Sequence, residues 1–363
     1  MKKYKYILVF AMMLFAGACF AASTNDNAPA TENHKELDIK GLILEHLGDS
    51  YEWHITTFNH KPISIPLPVI LYSKTSGWNV FLSSKLQHGE SAYKGFYISE
   101  EGSHKGKIVE KNTAGEEVRP FDISITKNVL SLFISCTLLL IIILSVARSY
   151  KKEPLEAKKG FAGMMEMFIM NINDDVIKPG IGKDYKKYAP YLLTVFFFIF
   201  INNLMGLIPI FPGGANLTGN IAITFLLAFI TFLIVNISGT KEYYKEIFWP
   251  DVPTWLKVPV PLMPAIELVG VFTKPFALMI RLFANILAGH SIVLGLTALV
   301  FVTVSLGTAM NATMSVISVI FTIFIDFVEL LVAYIQAYVF TMLSSVFIGL
   351  ARVEPHHEKK LEN

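Results

Sequence analysis

Charged residues and cysteines are scarce in this 363-residue chain. Asp, Glu, Lys and Arg together make up 17% of it, whereas hydrophobic residues make up 53%, including 28 phenylalanines. This composition predicts a membrane protein with several spans. The two cysteines, Cys19 near the N-terminus and Cys136 in an apolar run, offer neither a disulfide framework nor a metal site. The net charge of +2 is uninformative about partners.

Catalytic motifs are also missing. No H-E-x-x-H or G-x-S-x-G occurs, so an intramembrane hydrolase would lack its metal ligands or its nucleophile. A self-contained secondary transporter usually shows internal repeats and broken helices, and neither is visible. Six histidines in the N-terminal third follow no metal-binding pattern, and we interpret them as solvated side chains: His34, His46, His54, His60, His88 and His104. No cofactor and no metal are expected.

Residues 1–22 have the composition of a secretory signal peptide. Three lysines precede an apolar core from Ile7 to Phe15, and small residues follow. We predict cleavage after Ala21. One alternative is an uncleaved first span, although the core is short for it. The other is a lipoprotein signal at Cys19, although Ala16 replaces the usual leucine.

Residues 23–125 are a polar extension, predicted to be extracytoplasmic and β-rich. The extension has a disordered-looking start through Asn33. From Tyr51 the order of residues alternates between polar and apolar. Short β-like runs then recur at Ile63 to Tyr72, Trp78 to Leu82, Phe96 to Ile98 and Ile108 to Val109.

Residues 126–352 are predicted to form a transmembrane domain. Its five apolar stretches are Val129 to Val146, Tyr191 to Ile210, Asn220 to Ile237, Val260 to Val304 and Ala312 to Leu350. The last two are twice as long as an upright crossing requires, so hydropathy alone would allow each to be cut into two spans. Neither contains a clear turn signal, although Pro275 is a possible kink.

The loops of this domain predict its orientation. Between residues 158 and 187, apolar residues at helical spacing indicate a short helix in the membrane interface, with a packed cytoplasmic helix as the alternative. Basic residues recur on one side of the membrane, at Arg148, Lys241, Lys257 and Arg352. This side is therefore predicted to be cytoplasmic, with residues 353–363 as a cytoplasmic tail.

One arginine lies inside an apolar run, T-K-P-F-A-L-M-I-R-L-F-A-N-I-L-A-G-H-S-I-V from Thr273. Arg281 cannot lose its proton, and insertion scales assign about 2.5–3.5 kcal/mol to an arginine at mid-membrane. This cost predicts a partner carboxylate or a wet cavity. His290 lies about 180° round the helix from it. Four short side chains lie within about 60° of the arginine, which lets another backbone approach: Ala277, Ala284, Asn285 and Ala288.

Four runs resemble subunit a of the rotary F-type ATP synthase, the membrane stator that faces the c-ring. They are R-L-F-A-N-I-L-A-G-H from Arg281, Q-A-Y-V-F from Gln336, N-N-L-M-G-L-I-P from Asn202 and A-N-L-T-G-N from Ala215. The resemblance covers roughly residues 125–352. It implies an all-α polytopic fold whose last two helices are long and tilted, in a bacterial inner membrane. It also implies a proton-translocating role without catalysis. The implied partners are the c-ring, subunit b, the rest of the F1Fo complex and the lipid bilayer, but no nucleic acid.

The resemblance assigns roles along the arginine helix. In the family a single arginine faces the proton-carrying carboxylates of the ring, and Arg281 occupies that position. Asn285, one turn on, would hydrogen-bond near the arginine or the ring acid. Glu267, 14 residues before Arg281 and about 21 Å away on a regular helix, resembles the acid of the inner half-channel. For Lys274 the sequence allows three roles: it takes part in ion transport, it extends its amine to the membrane surface, or it pairs with an acid.

An outer half-channel is implied as well. In the family a histidine and an acid commonly occupy the positions of His290 and Glu329, and such a pair suits a proton relay at neutral pH. A plain interhelical hydrogen bond is the alternative. Gly206 stands where some members have an aspartate. His290 favours protons as the carried ion, with sodium left open. Three further side chains are candidates for this route: Asn203, Asp326 and Gln336.

Overall fold

The structure is a computed structural model that describes residues 48–58, 61–89, 91–99, 102–111, 116–152, 159–208, 213–249 and 262–352. The predicted signal peptide, the start of the extension and the predicted C-terminal tail lie outside these ranges. The described residues comprise a small β module followed by a set of long apolar helices.

The extension forms the predicted β-rich module. Its strands are β1 (Glu52–Phe58), β2 (Lys61–Pro66), β3 (Pro68–Ser73), β4 (Gly77–Leu82), β5 (Phe96–Ile98), β6 (Ile108–Lys111), β7 (Glu117–Val118) and β8 (Phe121–Asp122). Strands β1 and β2 form an antiparallel pair, and two three-stranded sheets have the orders β4-β3-β8 and β5-β6-β7. The run predicted from Ile63 to Tyr72 is divided at Leu67 between two sheets, and the two-residue strands β7 and β8 were not predicted.

The module has its own hydrophobic core. Alternate residues of a strand point to opposite faces, and Val69 and Leu71 of β3 are fully buried against Phe96 and Ile108. Tyr51 packs into the same core and donates a hydrogen bond from its hydroxyl to Asp122. Burial, followed by this bond, raises the pKa of the Tyr51 hydroxyl.

In the described part of the chain, seven helices of eight or more residues follow the module. They are α1 (Lys127–Lys152), α2 (Gly160–Asn171), α3 (Tyr185–Leu207), α4 (Ile221–Ile237), α5 (Lys241–Phe248), α6 (Leu262–Thr303) and α7 (Thr308–Ala351). Within the described ranges, four helical stretches are long and apolar enough to cross a membrane, and a fifth is added if α4 and α5, bent by 103°, count as one span. The protein is therefore a polytopic helical membrane protein with a β-rich N-terminal region.

Each of the last two apolar stretches is a single helix. Helix α6 has 42 residues, runs through Pro275 and is about 63 Å long, while α7 has 44 residues and is about 66 Å long. Neither is divided in the way that hydropathy alone would allow. The hydrocarbon core is about 30 Å thick, so each helix fits the bilayer only by tilting steeply or by extending beyond it.

Close backbone contact fixes one end of α7. Helix α2 continues into a π-helical segment, Ile172–Ile177, and a single α-turn, Lys178–Ile181. The Ser345 hydroxyl of α7 donates to the Val176 carbonyl at 3.1 Å. A Cβ at Gly349 would overlap the Gly180 carbonyl oxygen, so only glycine permits this approach.

Helix α2 itself has two kinds of surface. Phe161 and Met164 are exposed, whereas Met165 is buried and the Phe168 ring lies 6.0 Å from that of Tyr334 on α7. One side is therefore packed and the other open. Its predicted position in the membrane interface stays a prediction.

Candidate functional site

The face of α6 that carries Arg281 is open. Arg281 and the four short residues predicted to share its side are all exposed: Ala277, Ala284, Asn285 and Ala288. Buried side chains along a neighbouring side of the helix pack it against the rest of the protein: Leu278, Met279, Leu282 and Ile286. Among the described residues, Arg281 makes no hydrogen bond or ion pair. A permanent cation thus lies on a smooth outer surface that a second protein can approach.

Two titratable side chains meet on the other side of α6. Nδ1 of His290 lies 3.6 Å from Oε2 of Glu329 on α7, and the two side chains are 17% and 11% exposed. The second oxygen of Glu329, Oε1, is buried and has no hydrogen-bond partner within the part of the chain that the structure describes. The carboxyl group therefore retains one site for a proton or a water molecule.

Two glycines make room for this pair. A Cβ at Gly289 would lie 3.0 Å from Cδ of Glu329 and would overlap its Oε1. A Cβ at Gly206 on α3 would lie 3.4 Å from Nε2 of His290. Position 206 therefore faces the imidazole. An acidic side chain at 206 would point at His290.

Asn203 of α3 is buried one helical turn from the pair. Its Nδ2 donates to the Ala333 carbonyl at 3.1 Å, four residues after Glu329 on α7. Its Oδ1 accepts from the Thr218 hydroxyl at 2.7 Å. Thr218 was not among the predicted site residues, although it lies in the A-N-L-T-G-N run. Nothing in the sequence indicates which asparagine it would contact.

Thr218→Val is expected to loosen Asn203. The substitution nearly preserves shape and leaves Oδ1 of Asn203 buried without its donor, which typically costs about 1–3 kcal/mol. We expect a lower thermal unfolding midpoint of the purified protein. Thr218→Ser, which keeps the hydroxyl, is the matched control and should behave like the parent. Equal behaviour of the valine and serine variants would contradict the positioning role.

The other two outer candidates differ in their surroundings. Gln336 is buried two turns along α7 from Glu329, about 10 Å away. Asp326 is exposed, and in the described part of the chain it makes no hydrogen bond or ion pair. No group of three or more His, Cys, Asp or Glu residues suited to a metal ion occurs among the described residues.

The first half of α6 carries the remaining candidates. Glu267 is half-buried on the same unbroken helix as Arg281. Nζ of Lys274 lies 5.9 Å from the centre of the Phe347 ring, a cation–π distance. The lysine lines a cleft shared with Asn236 and Tyr243. Its neighbour is thus an aromatic ring of α7 rather than a carboxylate, among the described residues.

These features define a class of protein: a polytopic helical membrane protein whose long penultimate helix presents an exposed arginine on a face of small side chains. Comparison with known families is more specific. The family model described as "ATP synthase A chain" matches residues 129–349, and the chain belongs to this family. A second model, "Domain of unknown function (DUF8433)", matches residues 42–127.

Individual relatives agree with the family. "ATP synthase subunit a 2" of Chlorobaculum tepidum is 45% identical over 258 residues, which cover 68% of this chain and 69% of that protein. "ATP synthase subunit a" of Chloroherpeton thalassium is 42% identical over 66% of this chain and 70% of its own length. "ATP synthase subunit a" of Myxococcus xanthus is 39% identical over 65% of this chain and 75% of its own length.

Proposed function

We propose that this chain is the proton-translocating stator subunit of the ATP synthase Fo sector and that it is not catalytic on its own. The observation that carries the proposal is the exposed Arg281 on the small-residue face of α6. A second chain carrying carboxylates can reach the guanidinium there without displacing any bulky side chain. The c-ring is the proposed second chain.

The proposed mechanism follows from the cost of charge in lipid. A protonated rotor carboxyl is neutral and tolerates lipid, whereas the deprotonated form needs a cation or water. Arg281 supplies that cation, Asn285 assists it by hydrogen bonding, and the fixed charge blocks a direct leak between half-channels. Each proton that crosses 100 mV contributes about 2.3 kcal/mol, which the offset between two half-channels converts into rotation.

The outer half-channel is proposed to run through the His290–Glu329 pair. The unpartnered Oε1 of Glu329 supports this route because it can accept a proton or a water molecule. Asn203 donates to the α7 backbone one turn away, and Gln336 lies further along the same helix. Asp326, which is exposed, would also contribute to the outer half-channel. Glu267, which precedes Arg281 by 14 residues on α6, would release protons to the cytoplasm through the inner half-channel.

The remaining proposals concern assembly and orientation. The partners are the c-ring, subunit b and the other F1Fo subunits, in the inner membrane of a bacterium. Residues 23–125 would lie outside the cytoplasm after removal of residues 1–22. The membrane domain at 126–352 would end in a cytoplasmic tail at 353–363. The basic residues that recur on one side of the helices support this orientation.

A reconstituted complex tests the proposal. Affinity purification by a tag at the C-terminus of this chain should recover a ring of small two-helix subunits together with it. Proteoliposomes that contain the purified complex should pump protons when ATP is added. Pumping that is unchanged by omitting sodium identifies the proton as the carried ion. Recovery of the chain alone, with ion transport and no ring, would instead identify a self-contained transporter and overturn the proposal.

A further inference from the structure

The β4-β3-β8 sheet of the extension has one apolar face that nothing in the described structure covers. Alternate residues of a strand point to the same side. One side of β3 and β4 is buried in the module core through Val69, Leu71 and Phe81. The other side, here called the open face, consists of six large side chains that are 42–68% exposed: Tyr72, Trp78, Val80, Leu82, Phe121 and Ile123.

The six side chains form one patch. Tyr72 pairs across the strands with Trp78 and with Phe121, and the Tyr72 and Trp78 rings lie 5.2 Å apart. Scattered exposed hydrophobic residues need no explanation, whereas a contiguous patch marks a contact surface. Tyrosine and tryptophan beside aliphatic side chains are typical of the membrane–water interface.

Two exposed basic residues flank the open face. Lys74 follows Tyr72 by two residues and Arg119 precedes Phe121 by two, and both are exposed. Two neighbouring acids are held towards the module: Asp122 accepts from the buried Tyr51, and Glu110 accepts from the buried Ser73. An apolar surface flanked by cations is complementary to phospholipid, whose phosphates lie directly above its acyl chains.

The open face is also tied to a membrane helix. Strand β8 continues towards α1, and Ile125 donates its backbone N–H to Pro68 of β3 at 3.1 Å. Lys127, the first residue of α1, donates to the Ser50 carbonyl at 2.9 Å. Ile123 is four residues from Lys127, so at most about 14 Å of chain separates the patch from the start of the span.

We propose that the open face rests on the phospholipid head groups of the leaflet that the N-terminal end of α1 enters. The extension is then an interfacial membrane module rather than a free domain on a stalk. Its aromatic and aliphatic side chains enter the head-group boundary, and Lys74 and Arg119 contact phosphate. Phe133, in the second turn of α1, is an exposed aromatic side chain as well. The proposal does not depend on proton translocation.

Lipid quenching of a fluorophore tests this contact in the assembled complex. An environment-sensitive fluorophore would be attached to Val80→Cys. The background is Cys136→Ser, with the reactive cysteines of the other subunits also replaced, and the labelled complex is placed in nanodiscs. Phospholipid with a nitroxide near the head group should quench the label at position 80. Lys105→Cys, exposed on the same module outside the patch, is the matched control and should keep its emission.

A photo-crosslinker at Trp78 identifies the occupant of the open face. Attachment to lipid, together with quenching confined to position 80, is the expected result. Crosslinking of position 78 to another subunit or to a second copy of this chain would overturn the proposal. Emission at position 80 that the nitroxide lipid leaves unchanged, or equal quenching at 80 and 105, would overturn it as well.

Discussion

Arg281→Ala is expected to abolish ATP-driven proton pumping and ATP synthesis by the assembled complex. The guanidinium is exposed, and no carboxylate of the described chain neutralises it. At about 4 Å and an effective dielectric constant near 20, a cation stabilises a carboxylate by about 4 kcal/mol. Its loss therefore disfavours the deprotonated rotor acid about a thousandfold. Acidification of proteoliposomes, followed by a pH-sensitive dye, measures the effect.

Two variants separate charge from packing at this position. Arg281→Lys keeps the charge without the guanidinium fork and should retain part of the pumping. Ile280→Ala removes a neighbouring, partly exposed side chain of the same helix and should pump like the parent. Passive proton leak through the alanine complex should rise, because the fixed cation no longer separates the half-channels. ATP synthesis at the parental rate by Arg281→Ala would refute the role of the arginine.

The sequence predicted those parts of the fold that depend on local pattern. The apolar run from Val260 to Val304 became α6 (Leu262–Thr303) almost unchanged, because length and apolarity alone define a span. The polar–apolar alternation likewise located most strands. The open side of α6 followed from the helical period, since small residues recur beside Arg281 at that spacing.

Contacts between distant segments escaped prediction. The Thr218 bond to Asn203 and the approach of Gly349 to Gly180 join residues from different elements. No local period encodes which elements meet. The π-helical segment before Lys178 has no signature in composition either, and the ring beneath Lys274 comes from α7. Sequence identified the residue types of the candidate site, whereas the fold determines their neighbours.

The two sides of α6 differ in how much space each requires. The Arg281 side needs small residues over several turns so that another chain can approach it. The His290 side needs space at a single point, where Glu329 of α7 reaches across. One added methyl group at that point is therefore expected to have a large effect, and Gly289 is the residue that tests this.

Gly289→Ala is expected to slow proton translocation on the order of tenfold or more. Overpacking of this kind typically costs about 1–3 kcal/mol, and here the new Cβ would overlap Oε1 of Glu329. The carboxyl group must then shift, which disturbs its 3.6 Å approach to Nδ1 of His290 and with it the proposed relay. Alanine otherwise favours a helix over glycine by about 1 kcal/mol, so the defect cannot come from lost helix propensity. ATP-driven dye quenching in membrane vesicles measures the rate.

The same helix supplies a matched control. A Cβ at Gly295 would meet nothing within 4 Å, so Gly295→Ala makes the same chemical change without the clash and should pump normally. If Gly289→Ala pumps as fast as Gly295→Ala, the His290–Glu329 contact does not lie on the proton route.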